Sequence, residues 1–345
     1  MKTWLDRLCV SVALAASCVP FAFAPAAADS IADFYRGKQI TMVVEVLGGG
    51  YGLAGRMMVE YMGRHIPGQP TMILVAKPGG GGRTSINYLY NVMPRDGTAI
   101  GFVHKDIASN SLLEPKGVKY DTLKFQWIGS IAPMNTAMFV WHTAPAKTLE
   151  DMKRIPVTMG ADGVAHPTAI FPTLFNNVLG TKFKVVSGYR GSQDIFLAME
   201  RGEVSGTTFS WETIRSRKAD WLAKKLVIPV AQVSLERDAD LPNVPLLSEL
   251  VKDPADRELV NFLVVGSKVG RAFAAPPDVP ADRVAALRKA FDETMKDPDF
   301  LAAARKARME VKPTSGAETQ ALVAKYAVTS PAVVQRAKKL IGFKD

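Results

Sequence analysis

Two glycine-rich turns concentrate the chemistry of this chain. Gly48-Gly49-Gly50-Tyr51-Gly52 follows the apolar run 39–46, and Lys77-Pro78-Gly79-Gly80-Gly81-Gly82 follows the run 71–76. A helical pattern opens after each. Leu53, Met57, Met58, Tyr61 and Met62 mark the first, and Ile86, Leu89, Tyr90 and Met93 the second. Glycines let backbone N–H groups approach a ligand closely, and a helix amino terminus favours negative charge. The chemistry implied is anion binding at two neighbouring strand mouths.

Other chemistries find less support. Gly50-Tyr51-Gly52-Leu53-Ala54-Gly55 satisfies the G-x-G-x-x-G dinucleotide pattern. That pattern also wants an acid at the end of the second strand for the ribose, and here Ala76-Lys77 stands there. No Walker lysine motif and no G-x-S-x-G elbow occurs. The four histidines, His65, His104, His142 and His166, show no metal-ligand spacing, so no metal and no cofactor is expected. His104 follows a third apolar run, 98–103, and His166 opens a helix. Each is either a structural hydrogen-bond partner or a ligand contact at a strand mouth. Glu45 is read as a solvated strand-end carboxylate.

The elements that must position these groups follow an export segment. Residues 1–28 carry Lys2 and Arg7, an apolar stretch 8–24 and Ala26-Ala27-Ala28 before Asp29. This reads as a signal peptide cleaved near Ala28, and hence as a periplasmic protein. Pro20 breaks the apolar stretch, which argues against a membrane anchor. Cys9 and Cys18 both lie in this segment. Thiol catalysis, thiolate metal sites and disulfides are therefore not expected of the processed chain. The formal charge is +10, spread along the chain without a concentrated patch. Nucleic acid is thus not expected as a partner; a bias toward small anions or plain solubility is.

The pattern of strand, small-residue loop and helix predicts an α/β protein of two lobes. Beyond the third strand, runs at 123–131, 138–141, 157–159, 183–186, 204–209 and 227–233 read as strands, with helices over 167–178 and 193–200 between them. The loops at the strand ends carry Ala161, Val164, His166 and Thr168, then Tyr189, Arg190, Gly191 and Ser192, then Ser210 and Trp211. The C-terminal helices read as packing on the first lobe.

Taken together, these residues resemble the extracytoplasmic receptors of tripartite tricarboxylate transporters, the Bug family. The family's P-G-G-G-x-D-x-x-A-R loop is matched by 47–56 and its N-x-P-G-A-G-G loop by 77–82. Its P-D-G-T turn is matched by 94–98, its G-S-x-G-x-x-x-H loop by 160–166, Y-K-G-S by 189–192, and L-P-D-V-P by 241–245. The resemblance covers essentially the whole processed chain. It implies a type II periplasmic-binding-protein fold, with residues 29–132 plus 270–345 as lobe 1 and 133–269 as lobe 2. The crossings are placed near 131–140 and 265–274. It also implies a ligand carboxylate held by Gly48, Gly49, Gly50, Tyr51, Gly52, Gly80, Gly81, Gly82, Arg83 and Thr84, with His104 beside them. Lobe 2 closes over it through Ala161–Thr168, Tyr189–Ser192 and Ser210-Trp211.

The family's loop aspartate is Gly52 here. Its absence predicts a pocket that favours purely anionic ligands. Arg83 stands where a small residue is usual, and either pairs with a second carboxylate or points outward. The expectation is a monomeric, non-enzymatic receptor for an organic carboxylate, delivering to membrane permease subunits. Two alternatives stay open: an exported hydrolase acting on small anions, and a ligand-sensing subunit of a signalling system.

Overall fold

The computed structural model describes residues 31–164 and 166–343. The export segment, its cleavage near Ala28 and both cysteines lie outside the described residues. The chain lays down β1 (Gln39–Val44), β2 (Thr71–Ala76), β3 (Ala99–Val103) and β4 (Gln126–Ser130), then crosses to a second sheet. There it forms β5 (Thr136–Trp141), β6 (Val157–Ala161), β7 (Phe183–Ser187), β8 (Gly206–Ser210) and β9 (Val227–Gln232). It returns to the first sheet as β10 (Ala272–Ala275) and β11 (Thr314–Ser315).

The first sheet has the order β11-β4-β10-β3-β1-β2 and the second β7-β6-β8-β5-β9. β1 runs parallel to β2 and β3, and β6 runs parallel to β7 and β8. The returning strand β10 is antiparallel to both β3 and β4. Parallel strands covered on both faces need continuous apolar runs. Ile40, Met42, Val43 and Val44 in β1 are all buried accordingly. The parallel strands of each sheet end at loops facing the other lobe, which is where open α/β folds place ligands.

β1 stops two residues earlier than its apolar run. Val46 and Leu47 are 42 % and 50 % exposed, because the Leu47 carbonyl turns back to accept from Arg56 Nη1 at 2.6 Å. The first turn of the following helix, Gly49–Met62, is thereby set directly against the strand end. Two chain crossings join the lobes and hydrogen-bond to each other. Ile131 N donates to Arg271 O and Arg271 N to Ala132 O, each at 3.0 Å, and Met134 N donates to Ser267 O at 2.8 Å.

The tail departs from expectation. The helix Gly316–Ala327 does pack on lobe 1, with Val323 buried among Trp127, Ala272 and Ala274. The last helix, Pro331–Ile341, packs on lobe 2. Val333, Val334, Ala337 and Ile341 lie on one stripe and join the core that holds Phe171, Phe175 and Leu263. Asn177 Nδ2 donates to Leu340 O at 2.6 Å, and Arg336 pairs with Asp256 and Asp253. The expectation that the C-terminal helices all pack on lobe 1 is corrected for 331–341. An amphipathic stripe states that a helix packs, not against which lobe. Val334→Asp places a charge in that core. It is expected to destabilise the protein by about 3 kcal/mol in denaturant unfolding, whereas the same substitution at the exposed Val328 changes little.

Candidate functional site

The second glycine turn sits at the mouth between the lobes. Gly80–Gly82 form one tight helical turn that leads into the helix Arg83–Asn91. A Cβ placed on Gly82 would stand 3.4 Å from Glu45 Oε2 and 3.3 Å from His104 Cβ. A Cβ on Gly81 would stand 3.6 Å from His166 Nε2, which belongs to the other lobe. Glu45, Gly80, Gly81, His104 and His166 line one cavity of about 360 Å³, and Phe343 from the tail closes it on one side. A volume in the low hundreds of Å³ suits a small organic molecule. A wider recess of about 700 Å³ between Tyr90, Lys124 and Asp278 shares none of these residues.

A carboxylate orients His166 and a backbone amide orients His104. His166 precedes the helix Pro167–Leu179 and holds Nδ1 3.2 Å from Asp162 Oδ1. Thr168 Oγ1 donates to the same oxygen at 2.5 Å, and Asp162 N donates back to Thr168 Oγ1 at 3.2 Å. The hydrogen bond to Asp162 raises the His166 pKa above its ordinary 6.5, against the opposing effect of burial; the carboxylates of Glu45 and Asp106 add to the rise. Burial pushes Asp162 up, but the hydrogen bonds from His166 and Thr168 outweigh it and hold its carboxyl below the usual range. His166 thus turns Nε2 toward the cavity, and the Asp162 carboxylate behind it favours the protonated ring. His104 Nδ1 accepts from Asp106 N at 3.4 Å, and its ring stacks on Tyr51 at 5.3 Å between centroids. The Tyr51 hydroxyl accepts from Lys105 N at 3.2 Å. Burial pushes the Tyr51 phenol well up, so it stays neutral.

The remaining sequence-predicted residues separate into three groups. Gly48, Gly49, Gly50 and Gly52 form the start of the Gly49–Met62 helix, and Tyr51 reaches the cavity only through His104. Ser210 and Trp211 are buried at the carboxyl end of β8, and the Ser210 hydroxyl and the Trp211 indole N–H have no hydrogen-bond partner. The others turn elsewhere. Arg83 lines the cavity, but Nη2 donates to Glu114 Oε2 at 2.5 Å and Nη1 to Lys116 O at 2.6 Å. Its fork is thus already engaged by the protein. Arg190 is 92 % exposed at its side chain and pairs with Asp194 at 3.2 Å. Val164 and Thr84 face solvent. Ala161 is buried at the end of β6, Tyr189 lies against Gly160, and Gly191 and Ser192 open the helix Ser192–Glu200.

Two site features were not legible in the sequence. Glu45, at the mouth of β1, also lines the cavity. Its carboxylate supplies the acid that the glycine loop lacks, so the pocket is not stripped of negative charge. Phe343 reaches the cavity because the last helix crosses to lobe 2, which the helical stripe alone did not show. Gly52 has its own structural cause. A Cβ there would stand 1.9 Å from the Leu47 carbonyl oxygen. Only glycine admits that approach, so an aspartate at this position requires a differently folded loop.

Comparison with known proteins places this geometry among receptors. The family model described as "Tripartite tricarboxylate transporter family receptor" matches residues 56–339. No curated protein sequence matches the chain. Solved structures do. A TctC solute binding protein from Polaromonas is 20 % identical, covers 89 % of this chain and 99 % of its own, and superposes with a TM-score of 0.66. The R. palustris protein Rpa4515, solved with adipate, is 18 % identical over 88 % of this chain and 97 % of its own, with a TM-score of 0.66. MatC from Rhodopseudomonas palustris, solved with malate, is 17 % identical over 88 % and 99 %, with a TM-score of 0.62. The two-lobed α/β fold expected from the sequence is the fold these proteins share.

Gly52→Asp is expected to destabilise the protein by about 3 kcal/mol, through the Leu47 clash rather than through charge. Gly52→Ala should lose nearly as much in denaturant unfolding; an alanine variant of unchanged stability sinks that account. The Asp162–His166 pair gives a pH test. Because the His166 pKa is raised, the pair contributes stability below the ordinary histidine value, and that contribution is lost as pH rises through the raised value. His166→Asn should flatten the decline in stability as pH rises from the ordinary histidine value through the raised one. Because the Asp162 pKa is lowered, its contribution holds above the ordinary carboxylate range and is lost only as pH falls through the lowered value.

Proposed function

The chain belongs to the receptor family of tripartite tricarboxylate transporters, and from that membership we propose that it captures a small organic carboxylate between its lobes and delivers it to membrane permease subunits. The cavity shared by the second glycine turn and His166 carries this reading. It joins helix-terminal N–H groups from one lobe to the Nε2 edge of an imidazole from the other, whose protonated form the Asp162 carboxylate favours. A carboxylate bridging them contacts both lobes, and only a ligand that binds the closed form better can shift the lobes toward closure. The adipate and malate named with two of the similar structures are carboxylates of fitting size.

Glu45 refines the ligand class. It lines the cavity beside the anion-favouring groups, so a purely anionic molecule meets repulsion there. A hydroxyl donating to the Glu45 carboxylate removes that conflict. The reading is therefore a hydroxycarboxylate, bound by a periplasmic monomer without turnover. In support of binding over catalysis, no hydroxyl is hydrogen-bonded to His166 among the described residues, so the Asp162–His166 pair activates no nucleophile of the protein. No helix among the described residues is long and apolar enough to cross a membrane.

A thermal-shift screen of the processed chain against mono-, di- and tricarboxylates, their hydroxylated counterparts and neutral or cationic solutes tests the reading. Binding at a hundredfold excess over Kd stabilises by about 2.7 kcal/mol, so the ligand should raise Tm by several degrees. Hydroxy acids should outrank their deoxy analogues, and Glu45→Gln should narrow that gap. A rise with neutral or cationic solutes and none with carboxylates refutes the proposal.

A further inference from the structure

Arg271 is 2 % exposed and stands in the second crossing, immediately before β10. Its Nη2 is in ion-pair contact with Glu212 Oε2, in the first turn of the helix Trp211–Arg217 of lobe 2. Its Nε and Nη1 have no hydrogen-bond partner. Thr208 Oγ1, Ser210 Oγ and Trp211 Nε1, just before Glu212 in the chain, are also buried without one. Five of the seven such atoms among the described residues thus belong to Arg271 and to the segment 208–211 that leads into Glu212. Thr208 and Ser210 share one face of β8 by the two-residue period. Buried polar groups are almost always satisfied, so unmet donors gathered at one junction mark a place built to receive an acceptor.

The acceptor's charge follows from the surroundings. A Cβ on Gly50 would stand 3.6 Å from Arg271 Nη2, so the guanidinium faces the first turn of the fourteen-residue helix Gly49–Met62. That turn carries partial positive charge. A buried cation beside it needs an anion, and burial is the main effect pulling the Arg271 pKa down. Glu212 meets the need only in part. An arginine built for a permanent carboxylate offers its fork bidentately, whereas Glu212 takes one nitrogen and leaves two N–H groups idle. A negative ligand would overfill the junction if Glu212 stayed, since one buried cation balances one buried anion.

We propose that Arg271 receives a carboxylate of the solute, and that Glu212 is its resident placeholder, exchanged for that carboxylate on binding. The inference rests on the carboxylate reading above and adds to it a specific cation and an internal competitor. It also couples binding to lobe position. The ion pair that the solute breaks joins the second crossing to lobe 2, so exchange frees the Trp211–Arg217 helix from the hinge.

Calorimetric titration of the full processed chain with malate and with adipate tests the exchange. Glu212→Gln removes the competing charge and should tighten binding of a bound acid about tenfold, the equivalent of 1.4 kcal/mol. Arg271→Lys, which keeps the charge but loses the fork, should weaken it at least as much. Unchanged or weaker binding by Glu212→Gln overturns the exchange, and so does unchanged binding by Arg271→Lys. Should these variants fold poorly, the native chain still decides. Trp211 adjoins Glu212, so malate or adipate binding should shift tryptophan emission, and Trp211→Phe should abolish the shift. Binding without a Trp211-dependent change overturns the exchange as well. If the unmodified chain binds no carboxylate of any kind, the parent reading fails and the exchange with it. If it binds one and Glu212→Gln does not alter the affinity, only the exchange fails.

Discussion

The hydrogen bonds between the two crossings constrain everything else in this molecule. Ile131 and Arg271 exchange backbone bonds with one another's strand at the point where both leave the first sheet. The chain cannot part there without stranding buried N–H and C=O groups. The two sheets are therefore held with their loop-bearing ends face to face, and the residues of the cleft inherit their positions from that frame. Gly81 and His166 meet across the lobes because the crossings fix how the lobes face, since neither loop alone specifies the other.

Within that frame the cleft is an electrostatic compromise rather than a simple positive pocket. The net charge of +10 suggests an anion trap, but the cationic and anionic groups at the site are interleaved. Asp162 sits behind His166 and Glu114 on Arg83. Each pairing orients a donor and lowers the cost of burying charge, as buried ions require partners. The consequence is selectivity by geometry. Glu45 remains in the cavity with no ion-pair partner within salt-bridge distance among the described residues, and an acceptor so placed asks for a donor on the ligand.

Much of the frame was legible from residues alone, and the reasons are physical. Continuous apolar runs, the first two closed by glycine turns, located β1, β2 and β3 to within two residues, because a parallel strand buried on both faces tolerates little else. Pro167 after His166 located a helix start, since proline suits the first helical turn. The helix ends of the two glycine loops followed from the same reasoning. What was not legible depends on where side chains and elements go in space. Glu45 could face water or the cleft, and only the turned-back Leu47 carbonyl and the neighbouring Gly82 decide it. Arg83 was open between ligand and protein, and Glu114, thirty-one residues away in sequence, settles its partner. The missing loop aspartate was read as a change of charge, whereas the 1.9 Å approach of Leu47 makes it a requirement of backbone packing.

The tail adds a constraint that the two crossings do not. The helix Gly316–Ala327 packs on lobe 1 and Pro331–Ile341 on lobe 2, so the chain joins the lobes a third time at 328–330. Ser330 caps the last helix by accepting from Val333 N, and Pro331 fixes its first turn. That joint cannot unwind into the helix without losing its cap. Relative motion of the lobes must therefore be taken up at 328–329, where Val328 is 76 % exposed, as well as at the crossings. Phe343 follows the last helix, packs against the lobe 2 core and lines the cavity, so a movement of lobe 2 away from lobe 1 carries this wall of the cavity with it.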